Sequence, residues 1–260
     1  MNLFKSIAIS FSLYSKIPMP IFEWKEDNYK HAIAFLPLVG IVIGIASCVL
    51  TLICSALGVP VFVATLLLTL TPIVITGGFH IDGFMDVQDA LHSYQPREKK
   101  LEIMKDPHIG AFAVIGAGAM TLTWIAFLYL LVDRAFCGDK MTYLIAFCCI
   151  FPFVRSLCGI TSITFRNAKN DGMLSMETGN SGKLDVLILV ILGIVSVGFM
   201  LYMNVAATIA TVCGAMIFTL WYNNLCKKQF GGVTGDTAGF FVVAGEVFLL
   251  AVIAVMSFVI

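Results

Sequence analysis

Apolar runs of about 20 residues recur from one end of this 260-residue chain to the other, each long enough to cross the hydrocarbon core of a bilayer. Inside lipid a backbone has no water to bond to, so segments of this kind satisfy their own N–H and C=O groups as helices. The runs fall near residues 31–56, 61–76, 110–132, 141–161, 184–203, 205–222 and 238–259. The predicted fold is therefore all-α: a polytopic integral membrane helix bundle of about seven transmembrane helices, forming a single domain over residues 1–260. Residues 3–22 are only moderately apolar and are interrupted by Lys16, Pro18 and Pro20. They read as an interfacial or half-helix segment without the pattern of a cleavable signal peptide.

Composition supports the membrane reading. The chain is 59% hydrophobic and 12% charged, with a mean hydropathy of +0.96, whereas soluble domains carry about 25% charged residues. Its net charge is zero, so no basic field points to nucleic acid. Six of the eight cysteines lie inside apolar runs and read as small core residues, outside any zinc or disulfide spacing. Thirteen of the sixteen basic residues fall in the N-terminal segment and in the loops after the second, fourth and sixth runs. The excess of Lys and Arg on cytoplasmic loops then places those loops and the N-terminus inside, and the C-terminus outside.

One stretch breaks the apolar pattern. Gly77 to Ser93, GGFHIDGFMDVQDALHS, holds His80, Asp82, Asp86, Asp89 and His92 directly after an apolar run. In a helix the three aspartates stand at i, i+4 and i+7 and share one face. Like charges so placed repel unless a cation lies among them. Hard oxygen ligands suit Mg²⁺, an ion that commonly bridges carboxylates and substrate phosphates.

The parity of the runs puts two further polar segments on the same side. LEIMKDPHIGAF supplies Lys105, Asp106 and His108, and KKQFGGVTGDTAGF supplies Gly231, Gly232, Thr234, Gly235, Asp236 and Thr237. Flexible glycine backbone can cradle a phosphate, and Asp236 adds a candidate metal ligand. Between these segments lies TFRNAKNDGMLSMETGNSGK, with Arg166. Arg155 and Glu246 sit inside apolar runs, where a charge is costly and is a functional candidate. Arg155 suits a phosphate and Glu246 a cation, and the plainer reading is that either snorkels or pairs structurally. Plainer readings stand beside these: a solvated acidic helix end, hydrogen-bonded histidines, a Lys105–Asp106 surface ion pair, and a simple turn around Gly231 to Gly235.

Together GGFHIDGFMDVQDAL, IMKDPHIGAF and GGVTGDTAGF resemble the cobalamin synthase family, the adenosylcobinamide-GDP ribazoletransferases. The resemblance extends over most of the chain. It implies an Mg²⁺-dependent enzyme of the cytoplasmic (inner) membrane that joins adenosylcobinamide-GDP to α-ribazole or its 5′-phosphate and releases GMP. Asp82, Asp86, Asp89 and Asp236 would then be the metal ligands, and His80, Asp82, Lys105 and Asp236 the catalytic candidates. Lys105, Arg155, Arg166, Gly232, Thr234 and Gly235 would bind phosphate. Which acid is base and which is ligand stays open. The family pattern has glycine where this chain has Ala90 and often Ser-Arg in place of Pro107-His108, which leaves position 108 a weak phosphate contact. The implied partners are the two substrates and the bilayer, with homo-oligomer formation left open. Two other classes compete. A phosphotransferase using a CDP-linked alcohol also clusters aspartates beside a span, but Asp82-Gly83 here continues with Phe84-Met85. A cation-coupled transporter would place its acids near the midplane, usually on repeated halves.

Overall fold

A computed structural model describes residues 3–20, 29, 31–168, 174, 178 and 181–259. Lys25, Lys30, Lys169 and most of the polar segment from 169 to 180 lie outside the described residues. The architecture among the described residues is helical: α1 (Leu3–Tyr14), a 3₁₀ turn (Ala32–Phe35) leading into α2 (Leu36–Ala56), α3 (Val61–Thr76), α4 (Phe79–His92), α5 (Arg97–Ile103), α6 (Ala111–Cys137), α7 (Met141–Cys148), α8 (Ile150–Thr164), α9 (Lys183–Met203), α10 (Val205–Gln229) and α11 (Gly235–Val259).

Among the described residues six stretches are long and apolar enough to cross a membrane: α2 with its leading turn, α6, α7 joined to α8, α9, α10 and α11. The helices α3 and α4 make a seventh as a pair, bent by 94°. The bend has a sequence cause. Gly77 and Gly78 both adopt left-handed backbone, with φ of 66° and 82°, a conformation that costs glycine nothing and other residues much. The chain of α1 closes over this corner, the Lys16 N–H donating to the Ile75 carbonyl at 2.8 Å.

The acidic stretch therefore does more than the polar connection expected after the second run. It is the second helix of the bent pair, laid antiparallel to α6: His92 stacks on Phe112, Gln88 lies over Gly116, and His80 and Ile81 share a cavity wall with Thr121 and Trp124. At the centre, α8 packs against α2, α9 and α11. Glycines in α2 permit that closeness, since a Cβ at Gly40 would lie 2.6 Å from the Phe151 carbonyl oxygen.

Helix ends sort into two groups. At one end the His31 ring meets Asp185 at 2.7 Å, joining the starts of α2 and α9. Asp89 reaches the start of α6, and Arg166 after α8 pairs its backbone with Val233 before α11. At the other end Arg134 of α6 donates to the Ser257 carbonyl of α11, and Asn204 contacts Thr142. The acidic helix, the Lys105 loop and the glycine-rich loop thus share one end, as span parity predicts.

Candidate active site

The site is built where α4 crosses α11. Two glycines make the crossing: a Cβ on Gly83 would stand 2.9 Å from the Asp236 carbonyl oxygen, and one on Gly239 would stand 3.0 Å from that of His80. The helices meet backbone to backbone, the close approach that small residues allow inside membranes. Phe84 and Phe240 stack beside it, centroids 5.4 Å apart and planes within 5°. Asp236 is thereby held against the acidic helix. The negative charges of Asp82, Asp236 and Asp89 all bear on Asp86, and the positive charge of Lys105 bears on Asp236. Asp82 is exposed, while Asp86 and Asp236 are half-buried.

Asp89 differs from the other three. Its Oδ2 accepts from the Gly110 N–H at 2.7 Å and its Oδ1 from the Ala113 N–H at 2.8 Å, so it caps the first turn of α6. Helix starts carry unpaired N–H groups and partial positive charge, which a carboxylate satisfies well. Asp89 was expected to stand free as a metal ligand. Both of its oxygens are instead engaged in fastening α6 to α4.

Arg155 is engaged as well. It is 1% exposed and its guanidinium donates to Glu246 at 2.5 Å and to the Phe151 carbonyl at 3.1 Å. Arg155, a candidate for phosphate, and Glu246, a candidate for a cation, meet in one buried ion pair between α8 and α11, the structural pairing that stood beside those readings. Exposed Arg166 sits at the shared polar end, held there by an isolated parallel bridge between Asn167 and Val233. Gly232 has a packing reason to be glycine, since its missing Cβ would strike the Arg166 carbonyl. Thr234 caps α11: its hydroxyl accepts from the Thr237 N–H at 3.2 Å, while its own N–H donates to the Thr237 hydroxyl at 2.8 Å. A side chain at Gly235 would meet only open space, leaving the first turn of α11 clear.

The remaining candidates separate in the same way. His80 is buried, stacked on Tyr14 with centroids 6.1 Å apart, and its Nδ1 has no partner among the described residues. His92 donates Nδ1–H to the Gln88 carbonyl at 2.8 Å, an ordinary i, i+4 contact. The Lys105–Asp106 ion pair is replaced by Asp106 accepting from the His108 backbone and facing its ring at 2.7 Å. Those two contacts hold the Asp106 carboxyl below its usual range. Sequence reasoning missed Tyr14, which lines a cavity of about 220 Å³ with His80, Asp82 and Asp236. Its one signal was an aromatic residue ahead of the IPMP segment. The crossing glycines were passed over because Gly83 reads as a helix defect until its partner is known.

Whether a divalent ion fits can be judged from the donors. No three His, Cys, Asp or Glu among the described residues are grouped to hold a metal by themselves. Carboxylates on two crossing helices, near enough for their charges to bear on one another, suit Mg²⁺, which keeps several waters and takes one or two carboxylates plus substrate phosphates. Asp82, Asp86 and Asp236 are the residues that fit.

Fold and site together define a multi-pass membrane protein with Asp82, Asp86 and Asp236 gathered at one polar end. The family model described as cobalamin-5-phosphate synthase (CobS) matches residues 6–254. A relative from Lachnoclostridium phytofermentans, named adenosylcobinamide-GDP ribazoletransferase, is 36% identical over 98% of this chain and 95% of its own length. Proteins of the same name from Clostridium botulinum strain Alaska E43 and Listeria welshimeri are 31% and 32% identical, over 95% and 90% of this chain and 95% and 91% of their own. No solved structure matches the chain. The chain belongs to the cobalamin-5-phosphate synthase family and is a transferase of cobalamin synthesis.

Proposed function

We propose that this enzyme joins adenosylcobinamide-GDP to α-ribazole, or to its 5′-phosphate, with release of GMP and dependence on Mg²⁺. The observation that carries the reading is the glycine crossing of α4 and α11, which brings Asp236 beside Asp82 and Asp86 within range of Lys105. Relatives at 31–36% identity are named for that transfer.

The chemistry follows from the groups present. A ribose hydroxyl of the riboside, one that stays free in the 5′-phosphate as well, attacks the phosphoryl group next to cobinamide, and the bond to the GMP oxygen breaks in line with it. A carboxylate of the Asp82, Asp86 and Asp236 group accepts the hydroxyl proton. Asp82, Asp86 and Asp236 are the residues from which one or two carboxylates would hold Mg²⁺, which when bound would supply charge neutralisation at the pyrophosphate. Lys105 and Arg166 stabilise charge growing on the departing GMP, and the clear first turn of α11 offers backbone N–H groups to phosphate oxygens. Asp89 and the Arg155–Glu246 pair keep the helices in register. The polar end faces the cytoplasm of the inner membrane by the basic-residue rule, with the C-terminus outside.

The test is incubation of the purified protein with adenosylcobinamide-GDP, α-ribazole and Mg²⁺, followed for GMP and a cobalamin product. Product from the wild type and none from Asp82→Asn is expected. Absence of product with any divalent metal overturns the reading.

A further inference from the structure

Three cavities border α4, and they differ in what they adjoin. The described residues lining the groove between α4, α6 and α11 include none of the site aspartates, and neither do those around the small cavity beside Arg155 and Glu246. The third, of about 220 Å³, has both Asp82 and Asp236 in its wall. Helices α1, α4, α8 and α11 enclose it together with the start of α2, through Tyr14, His80, Ser162, Ala238 and Leu36 among others. Sites that hold a whole drug-sized ligand run to roughly 300–1,000 Å³, so this one admits a single ring system of a substrate.

Flat rings make one side of it. Tyr14 and His80 lie within 15° of parallel, centroids 6.1 Å apart, and Phe79 stands edge-on to both at 5.6 Å and 5.4 Å. The bond from the Lys16 N–H to the Ile75 carbonyl, at 2.8 Å, holds the end of α1 over the Gly77–Gly78 corner and so brings Tyr14 to this wall. The transfer reaction gives α1 no other task. Polar capacity away from the carboxylates is sparse. His80 is 5% exposed, and its Nδ1 has no partner among the described residues. A buried ring nitrogen left in that state is costly unless something bonds to it.

Resting on the transfer reaction proposed above, we propose that this cavity binds the aromatic base of the riboside acceptor, with His80 as its hydrogen-bond partner. Connectivity singles out that ring. The attacking oxygen belongs to the ribose that carries the base, so base and reacting oxygen are one sugar apart. With that hydroxyl on the carboxylates that take its proton, the base falls in the space Asp82 and Asp236 adjoin. The guanine of the donor stands further off, separated from the breaking bond by a ribose and a phosphate. The corrinoid is far larger than the cavity. Polarity agrees with connectivity. The base of α-ribazole, a dimethylbenzimidazole, is a flat bicycle with apolar edges and one ring nitrogen free to accept a hydrogen bond. Aromatic walls suit its faces, and an Nδ1–H on His80 suits that nitrogen. Guanine carries several donors and acceptors on its edge, most of which walls of this kind leave unpaired.

Equilibrium dialysis of radiolabelled α-ribazole against the full-length protein in lipid nanodiscs with Mg²⁺ tests this without turnover. Saturable binding to the wild type is expected, undisturbed by guanosine. Tyr14→Leu takes away one ring face, and His80→Phe keeps a flat ring while losing the nitrogen. Each should weaken binding about two- to tenfold. In turnover the KM for the riboside should rise by the same factor, while that for adenosylcobinamide-GDP stays within about twofold of wild type. Absent riboside binding, wild-type affinity in either variant, or displacement by guanosine overturns the assignment. If Tyr14→Leu fails to fold, His80→Phe decides alone. Riboside binding without any GMP release would count against the reaction and leave the cavity standing.

Discussion

The two carboxylate oxygens of Asp89 each hold a backbone N–H at the start of α6, that of Gly110 at 2.7 Å and that of Ala113 at 2.8 Å. The acid nearest the polar end of α4 is thereby a fastening, and Gly110 is glycine because a Cβ there would collide with this carboxylate. Replacing Asp89 with alanine strips the helix start of its cap, which typically costs about 0.5–2 kcal/mol. The expected outcome is a lower unfolding temperature in detergent with the Mg²⁺ concentration for half-maximal activity unchanged. A raised Mg²⁺ requirement at unchanged stability would restore Asp89 to the metal ligands.

Asp82 and Asp236 should behave in the opposite way. Asp82→Asn and Asp236→Asn each remove a hard ligand and a charge, while leaving shape and helix ends intact. Each is expected to lower GMP release at least a hundredfold, with unfolding temperatures close to wild type. Chelation should abolish wild-type activity and Mg²⁺ should restore it. Full activity after exhaustive chelation would show that the carboxylates act without a metal.

Spacing at the crossing gives a third prediction. Gly83→Ala must push α4 off the Asp236 backbone, and a displacement of about 1 Å from productive geometry can cost on the order of 100-fold in rate. Activity should fall by roughly that factor while helical content by circular dichroism holds. Gly118, where a side chain would meet nothing within 4 Å, is the control: Gly118→Ala should be close to silent. Equal losses at both positions would mean that helix propensity, and not the crossing, is responsible.

The buried pair between Arg155 and Glu246 yields the fourth. Removing one member of a buried pair leaves the other charge uncompensated and commonly costs about 3–5 kcal/mol, whereas replacing both with apolar side chains can be near neutral. Arg155→Met is expected to reduce the amount of folded protein sharply, and Arg155→Met with Glu246→Leu to recover most of it. Recovered folding with activity still lost would return Arg155 to the phosphate-binding set.

Sequence alone made the bundle legible, because lipid leaves the backbone little choice and apolar runs mark their own lengths. Charge at the loops likewise predicted that the Asp82, Lys105 and Asp236 segments would share an end. Two features were hidden for different reasons. The corner at Gly77-Gly78 folds the acidic stretch back as a helix bent off the preceding apolar one, and apolar periodicity carries no sign of a 94° bend. The partners of Asp89 and Arg155 lie 21 and 91 residues away, so a charge available for chemistry and a charge already taken look identical in the one-dimensional string. Three aspartates on one helix face were legible; their division between two ligand candidates and one helix cap required the neighbouring helices.

The contact of Gly83 and Gly239 also bears on how this site can vary over time. Glycine is the smallest residue, so the separation of the two acid-bearing backbones already sits at its lower bound. Every substitution at either position can only widen it, and no compensating replacement elsewhere in the pair can shrink it again. Drift at these positions is one-sided, like a ratchet without a reverse tooth. Diversity in this site is therefore expected among the groups lining the cavities, while the gap across which the carboxylates face each other is fixed by having nothing left to remove.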